Sequence, residues 1–385
     1  MTGRAIGAFI AIPVVSLLAF LLGYPGVGYA AFGIVVLIAV AALLVAKPPT
    51  SNLDRSVDPA HVTRGESATV RLGRRNRSPV PAAPLEATDR IGHLDVHVTI
   101  PLAAPATRSE ASYRFVTTKR GHLTIGPAVL TRRDPWGLFQ RSRQVGEAGE
   151  LLVYPRVLPM GPPDILARLG RDAGAADVAA GSDRFHTLRE YVVGDELRKI
   201  HWPSSARTGV LVVKQMVDSP RPRLLLFLDC ERGVYPTEDS FEQAVDTTAS
   251  LANAIAGTGV PMTVVAGQNH AEVEVTRPDD LAKLLETLAI VDGESQPMSS
   301  AKLRGRVINT RATAIVAVTG PGTGFLSALT GVRSIIGEAA LYRLGSPGPP
   351  AVTRRRGLVL VDAAVAEDVS HLQPVPVKRT RKPGS

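Results

Sequence analysis

The chain has 385 residues, of which 45% are hydrophobic, 5% aromatic and 21% charged. A chain of this length and apolar content has room for at least two buried cores, so it is not disordered as a whole. The net charge is +9, but arginine far outnumbers lysine, so the basicity does not by itself predict nucleic-acid binding. The single cysteine, Cys230, excludes an internal disulfide and a cysteine-based zinc cluster.

Two uncharged apolar runs open the chain, at residues 5–22 and 27–46. Each is near the length of a helix that crosses a bilayer, and only Gly23-Tyr24-Pro25-Gly26 separates them. Because glycine and proline break helices and tyrosine favours the headgroup region, we predict a two-helix membrane hairpin within residues 1–50. The alternatives are a signal peptide and a buried pair of core helices, and the second apolar run argues against a signal peptide.

Positive charges flank the predicted hairpin at both of its ends. Arg4 precedes the first run, and Lys47, Arg55 and Arg64 follow the second. By the positive-inside rule both ends face the cytoplasm, so we expect a multi-pass protein of the cell membrane with cytoplasmic soluble domains. The arginines between Arg55 and Arg77 fit contacts with anionic lipid headgroups and a solvated domain surface equally well.

Residues 58–152 alternate short strands with turns. Polarity alternates with a period of two in Ala68–Leu72 and Leu94–Val98, which is typical of a sheet with one face in a core. We predict an all-β, sandwich-like antiparallel domain without a catalytic constellation. The turn Asp134-Pro135-Trp136-Gly137-Leu138-Phe139 carries aromatic side chains, which we assign to core packing rather than to ligand binding.

Residues 153–220 form a connector that begins rich in proline, glycine and alanine, and residues 221–372 alternate strands with helices. The apolar run Leu224–Leu228 is expected of a strand that is buried on both faces of a parallel sheet. This order of elements predicts an α/β, Rossmann-like open sheet. A basic tail at 373–385 is too short and too proline-rich to pack.

The first helix of the α/β region is expected to start at Ser240. Its apolar residues from Phe241 to Ile255 fall on one stripe of a helix. Asp239 or Ser240 is expected to cap its start, and Gly257 to end it.

The segment before the first α/β strand carries the most specific pattern in the chain. It consists of Arg-Glu-Tyr, Gly-Asp, a lone arginine, Ile-X-Trp and Ala-Arg, whose main residues are Arg189, Glu190, Tyr191, Gly194, Asp195, Arg198, Trp202 and Arg207. This pattern resembles the signature of the bacterial family called domain of unknown function 58. The resemblance covers essentially the whole chain and implies a C-terminal domain similar to von Willebrand factor A domains.

The local chemistry of this segment suggests how it folds. Gly194 allows a turn, Asp195 is placed to cap a short helix over residues 196–201, and Pro203 would stop that helix. The arginines offer planar forks for bidentate pairs with the carboxylates that we expect to hold the connector against the sheet domain. Those arginines are Arg189, Arg198 and Arg207, and the carboxylates are Glu190, Asp195 and Glu196. Alternatively, the arginines face a partner's acidic or phosphate groups.

The resemblance also raises the question of a metal. Domains similar to von Willebrand factor A often bind a divalent cation through Asp-X-Ser-X-Ser after their first strand, but here the sequence is Asp229-Cys230-Glu231-Arg232-Gly233. The aspartate matches and both serines are missing, so we expect no cofactor and keep a cation at Asp229 as an alternative. Gly320-Pro321-Gly322-Thr323-Gly324 lacks the spacing of a nucleotide-binding loop, and we interpret it as a plain turn.

No catalytic motif occurs in a supporting context, so we expect a protein that is not an enzyme. We predict a membrane-anchored adaptor or scaffold that contacts membrane lipid and binds a cytoplasmic protein at the carboxyl edge of its sheet. The resemblance implies a MoxR-type AAA+ ATPase as that partner, in assembly or maturation of envelope or metal-dependent complexes. The alternatives are a cation-dependent ligand-binding protein centred on Asp229, and a basic membrane or nucleic-acid surface, of which nucleic acid is the less expected partner.

Overall fold

The structure, a computed structural model, describes residues 3–22, 25–46, 48–49, 53–169, 185–193, 195–216, 222–268, 271–322, 324–355 and 357–373. The chain divides into two compact units, Met1–Tyr154 and Pro155–Ser385. Parts of the predictions lie outside the described residues: the turn residues Gly23 and Tyr24, the flanking Lys47, the signature residue Gly194, and the tail from residue 374 onward.

The first unit begins with two apolar helices, α1 (Gly3–Leu22) and α2 (Pro25–Val45). Within α2, Gly26–Val45 is long and apolar enough to cross a membrane. This helix gives weak support to a membrane anchor. The second span of the predicted hairpin and the cytoplasmic orientation stay predictions.

The described remainder of this unit contains ten strands. They are β1 (Leu53–Asp58), β2 (His61–Thr63), β3 (Ser67–Arg75), β4 (Leu85–Ile91), β5 (Leu94–Ile100), β6 (Arg108–Val116), β7 (Gly121–Ile125), β8 (Ala128–Arg133), β9 (Gln140–Val145) and β10 (Gly149–Tyr154). One sheet has the order β1-β3-β6, and the other β2-β10-β7-β4-β8-β9 with β5 also paired to β4. Alternate residues of both sheets, such as Leu72 and Leu130, fill a shared core.

The prediction of a wholly antiparallel domain is wrong at one pair of strands. β2 and β10 run parallel, with Val62 opposite Val153. Parallel neighbours need a long crossover, and the seven strands between these two in the chain supply it.

Arg55 corrects a second expectation, because it is neither a headgroup contact nor a solvated residue. Its guanidinium donates through Nη2 to Asp89 Oδ1 at 2.7 Å and through Nε to Oδ2 at 3.2 Å. The Tyr113 hydroxyl donates to the same carboxylate at 2.7 Å. Asp89 is fully buried, so these bonds balance a charge that would otherwise be costly inside the sandwich.

The second unit consists of a small ribbon and a larger α/β domain. Its elements are α3 (described over 164–169), β11 (Phe185–Glu190), α4 (Trp202–Thr208), β12 (Val212–Met216), β13 (Leu224–Leu228), α5 (Glu238–Ala256), β14 (Met262–Ala266), β15 (Ala271–Val275), α6 (Asp280–Ile290), α7 (Ser300–Thr310), β16 (Ala314–Thr319), α8 (Gly324–Val332), β17 (Glu338–Leu344), β18 (Ala351–Arg355), β19 (Leu358–Ala363) and α9 (Ala366–Leu372).

The α/β domain has one open sheet with the strand order β15-β14-β13-β16-β17-β19-β18. The five central strands are parallel, and the two edge strands are antiparallel. Leu224, Leu226 and Leu228 pack with α5, α6 and α9, whereas Leu225 and Phe227 pack with α7 and α8. Every side chain of β13 is therefore buried, which explains its continuous apolar sequence.

Helix α5 begins one turn away from the predicted cap. Thr237 precedes the helix, and its side chain accepts a hydrogen bond from the Ser240 backbone N–H at 3.1 Å. The expectation that Asp239 or Ser240 caps the helix is wrong, since both lie inside its first turn, where Asp239 still meets the positive end of the helix dipole. Gly257 does occupy the C-terminal cap.

Arg156 fastens the start of the second unit to its α/β domain. Its backbone N–H and its Nε donate to the Asp246 carboxylate at 2.8 and 2.7 Å, and its Nη1 donates to Glu367 at 2.6 Å. Asp246 is fully buried on α5, so the guanidinium supplies the charge partner that burial demands. The segment after Tyr154 is thereby held to α5 and α9.

Candidate functional site

The signature residues fold as a small module, defined here as residues 185–193 and 195–216. Strands β11 and β12 pair antiparallel, with Arg189 opposite Val213. The chain between the strands returns to this ribbon: Tyr191 N–H donates to Leu211 O, and His201 N–H donates to Val212 O, each at 2.8 Å. These bonds bring the two ends of the signature onto one ribbon.

Asp195 has a different role from the predicted one. Its carboxylate accepts from Arg189 Nη2 at 2.6 Å and from the Val192 backbone N–H at 3.0 Å. The bond from Arg189 is the main cause that lowers the pKa of Asp195, and the bond from Val192 adds to it. Asp195 thus closes the turn after β11 and does not cap a helix.

The helix predicted over residues 196–201 is also wrong. Only Leu197–Lys199 forms a short 3-10 turn, and Pro203 lies in the first turn of α4 instead of stopping a helix. Proline fits there because the first N–H groups of a helix have no partner within it. His201 caps α4 by accepting from the Ser204 N–H at 3.3 Å.

The arginines of the signature divide into two groups. Arg189 is paired inside the module with Asp195, so this pair does not hold the module against the sheet domain as expected. Arg198 and Arg207 are exposed, and so is Glu190. The structure therefore leaves Arg198 and Arg207 facing solvent, as the alternative interpretation of these residues requires.

Several large apolar side chains of the module are exposed as well. Val193 is 94% exposed and Trp202 is 64% exposed. We call the following set the apolar surface of the module: Val192, Val193, Leu197, Trp202, Val210 and Leu211. Several exposed apolar side chains on one small module are a feature of interaction surfaces, and sequence analysis missed them because the same residues suit a core.

Asp229 lies at the carboxyl end of β13 and is almost fully buried. The Thr319 hydroxyl at the end of β16 donates to its Oδ2 at 2.7 Å, and the Glu231 N–H donates to its Oδ1 at 3.1 Å. Burial raises the pKa of Asp229 to about 6, although both hydrogen bonds oppose the shift. Thr319 is the last residue of β16, and its hydroxyl uses Asp229 as its acceptor.

The loop that follows Asp229 covers this edge of the sheet. The Tyr235 hydroxyl donates to the Asp229 backbone oxygen at 2.6 Å, which draws the loop inward. A Cβ added at Gly320 would lie 2.0 Å from the Val234 oxygen, so backbone meets backbone without a gap. In open α/β sheets ligands bind outside the carboxyl ends of the strands where strand order reverses, here between β13 and β16. Residues 231–235 fill that position.

The surroundings of Asp229 offer few free ligands for a cation. Within the described part of the chain, no group of three or more His, Cys, Asp or Glu side chains is arranged to hold a metal ion. The Glu294 carboxylate accepts from the Gln268 N–H at 3.0 Å, and Arg232 lies over Gly293 and donates to Asp292 at 2.8 Å. The carboxylates at this edge therefore bond to the protein's own groups.

Residues 187–319 match the family model described as Protein of unknown function DUF58. This match supports the DUF58 family for a span that includes most of the signature module, Asp229 and Thr319. No curated protein matches the chain.

Similar solved structures cover parts of the chain only. One is the CARDB domain of a Pyrococcus furiosus protein in complex with di-metal ions, with 14% identity over 27% of this chain and 93% of that chain and a TM-score of 0.20. Another is a Niemann-Pick type C2 protein from Japanese carpenter ant, with 14% identity over 28% of this chain and 95% of that chain and a TM-score of 0.16. A third is the Pseudomonas fluorescens alkylpurine DNA glycosylase AlkC bound to DNA containing an abasic site analog, with 11% identity over 27% of this chain and 30% of that chain and a TM-score of 0.20. The chain thus spans less than a third of AlkC, and TM-scores this low do not establish a shared fold.

Gly320→Ala tests the closed edge. We expect it to lower the free energy of unfolding by about 2 kcal/mol, because the new Cβ meets backbone that cannot move without opening the loop. Gly305→Ala in α7 is the matched control: no atom lies within 4 Å of its added Cβ, and alanine favours a helix, so stability should hold or rise. Chemical denaturation of the two variants measures both effects. A Gly320→Ala variant as stable as the wild type would contradict the close contact between Gly320 and Val234.

Asp229→Asn tests the buried carboxyl by its pH dependence. The folded protein holds this proton more tightly than the unfolded chain, whose ordinary value is 3.8, so the stability it contributes is lost as the pH rises through about 6. Lowering the pH from about 7 to about 5 should stabilise the wild type by about 1 kcal/mol relative to Asp229→Asn. Denaturation curves at both pH values measure this difference, and parallel pH profiles would contradict the assignment.

Proposed function

We propose that the protein is a membrane-anchored, non-enzymatic adaptor whose signature module binds a cytoplasmic protein partner. The observation that carries the proposal is the exposure of the apolar surface of the module inside the span that matches the DUF58 family model. A solvated domain gains nothing from exposing such side chains, whereas a partner that covers them gains the free energy of their burial.

The composition of the surface suits a protein interface. Trp202 offers a large, flat side chain, and tryptophan is prominent among the residues that dominate binding energies. Exposed Arg198 and Arg207 add charge around the apolar residues, as in the polar rim of an interface. Basic residues outnumber acidic ones by five to three over 185–216, so the complementary surface carries acidic groups.

The partner we propose is a MoxR-type AAA+ ATPase, in assembly or maturation of envelope or metal-dependent complexes. This identification rests on the family resemblance, which the match over residues 187–319 supports in its family part only. The carboxyl edge of the sheet is the site that sequence analysis favoured. Because residues 231–235 fill that edge, we place the contact with the partner on the signature module instead.

Two finer parts of the sequence-based interpretation belong to the same proposal. The first is a C-terminal domain similar to von Willebrand factor A, which is supported by a parallel sheet whose strand order reverses beside β13 and whose edge strand β15 is antiparallel. The second is a two-span anchor with both ends in the cytoplasm, supported by the apolar α2 and by the positive charges that flank the hairpin.

Affinity purification of the tagged full-length protein from crosslinked native membranes tests the adaptor function. We expect an AAA+ ATPase in the wild-type sample, and its yield should fall about tenfold in Val193→Ser/Trp202→Ser because two exposed apolar contacts are lost. The control is Ile290→Ser/Ile308→Ser, which alters two exposed apolar residues on α6 and α7, outside the signature module. Equal yields from the two variants, or no ATPase with the wild type, would contradict the proposal.

A further inference from the structure

Five arginines surround a pocket of about 770 Å³ in the first unit, where β3 ends. They are Arg74, Arg75, Arg77, Arg132 and Arg143, and the described lining includes a single acidic residue, Asp54. So many like charges around one cavity raise the local positive potential, and an anion that enters the cavity lowers it.

Arg74 makes this a built site rather than a basic surface. It is only 3% exposed, and its guanidinium donates to the backbone oxygens of Ala82, Ala83 and Pro101 at 3.0 to 3.3 Å. Its Nε is buried without a hydrogen-bond partner, and Arg74 forms no ion pair with a carboxylate of the described residues. Burial and the nearby Arg132 lower the pKa of Arg74. A buried cation in this setting is stabilised by a bound anion.

A second pocket of about 810 Å³ adjoins the first and shares Asn76, Ser78, Ala82, Leu85 and Arg132 with it. Its lining is mixed: Leu44 of α2, Pro48, Val80, Pro81 and Pro84 supply apolar surface, and Glu86, Arg133 and Asp134 supply charged groups. The arginine pocket itself reaches Pro49, a few residues beyond the same helix. The second pocket therefore joins the end of the membrane-spanning candidate to the arginine pocket.

The turn Asp134-Pro135-Trp136-Gly137-Leu138-Phe139 fixes the β-domain beside this end of α2. Leu138 is buried against Ile38 and Ala41, and the Arg141 guanidinium donates to the Ala46 backbone oxygen at 2.6 Å. Leu138 therefore packs on the last two turns of α2.

Trp136 does not pack in a core, which corrects part of the sequence-based interpretation of this turn. Its side chain is 42% exposed, beside a turn that lies against α2. Tryptophan is enriched at the interface between membrane and water, so the exposed ring suits this position.

We propose that the arginine pocket binds the phosphate of an anionic lipid headgroup, while the acyl portion lies on the apolar residues of the second pocket that reach Leu44. The inference rests on the membrane anchor of the proposed function. A soluble phosphate compound shares the headgroup chemistry, but the second pocket joins the arginines to Leu44 at the end of α2, and this position favours a lipid. Guanidinium groups suit either source, since their planar forks pair with phosphate oxygens.

The test uses the full-length protein in an uncharged detergent, titrated with short-chain phosphatidylglycerol, phosphatidylcholine or inorganic phosphate. Native mass spectrometry counts bound lipid, and thermal shift follows each titration. The variant is Arg77→Gln/Arg143→Gln, because both side chains are exposed at the pocket and their loss should not unfold the domain. Arg71→Gln/Arg114→Gln removes the same charge from exposed positions outside both pockets and serves as the control.

We expect one phosphatidylglycerol to bind the wild type and the control about tenfold more tightly than phosphatidylcholine, and the pocket variant to lose this preference. Equal binding of phosphatidylglycerol by the pocket variant would overturn the proposal. Protection by inorganic phosphate at the concentration where phosphatidylglycerol acts would assign the pocket to a soluble anion and overturn the lipid.

The titration does not involve the signature module, so its failure is distinct from a failure of partner capture. Membrane fractionation separates a third case: if the wild type leaves the membrane without detergent, the anchor itself is wrong and the lipid proposal falls with it.

Discussion

Burial of the central sheet on both faces is the constraint on which the second unit depends. A strand such as Leu224–Leu228 has no face left for water, so its first polar residue, Asp229, must find partners at the strand end. Thr319 and the Glu231 N–H supply them, and Tyr235 holds the intervening loop against the same edge. The groups that satisfy the buried carboxyl are thus the ones that close the edge where an open α/β sheet usually takes a ligand.

Because this edge is closed, we place the proposed partner contact on the signature module that precedes the sheet. Its ribbon is held by local backbone hydrogen bonds and by the Arg189–Asp195 pair. Val193 and Trp202 take no part in this packing and are exposed to solvent. In the first unit, the exposed aromatic and basic side chains lie beside an apolar helix. Trp136 and the arginine pocket gather near the end of α2, where apolar and charged groups both suit a membrane surface.

Elements with a strong pattern were predictable from the sequence. The strand Leu224–Leu228 follows from its apolar run and the helix α5 from its stripe of apolar residues, because both patterns report burial directly. β15 was missed because it is a short edge strand, Ala271–Val275, with charges on alternate residues. α7 was missed because Gly305 and the β-branched residues near its end weaken its helical pattern, and packing of Leu303 and Val307 against the sheet outweighs that weakness.

The candidate site was predictable in its residues but not in its geometry. Sequence analysis singled out Asp195 and Pro203 but placed them at the start and end of a helix that does not form. Which N–H group Asp195 accepts from depends on the path of the chain after β11. No local pattern distinguishes an exposed Val193 from a buried one, because that difference is decided by what the fold places over it. The contact between Val234 and Gly320 joins residues far apart in the chain, and spacing cannot reveal it.

Site-specific photocrosslinking is the most direct test of where the partner binds. A photoreactive phenylalanine analogue would replace Val193 in one full-length protein and Arg232 in another, since both side chains are well exposed and one lies on the signature module and the other at the carboxyl edge. The account predicts an adduct with an AAA+ ATPase in native membranes from position 193 and none from position 232. An adduct from position 232 alone would contradict it and return the interface to the carboxyl edge of the sheet.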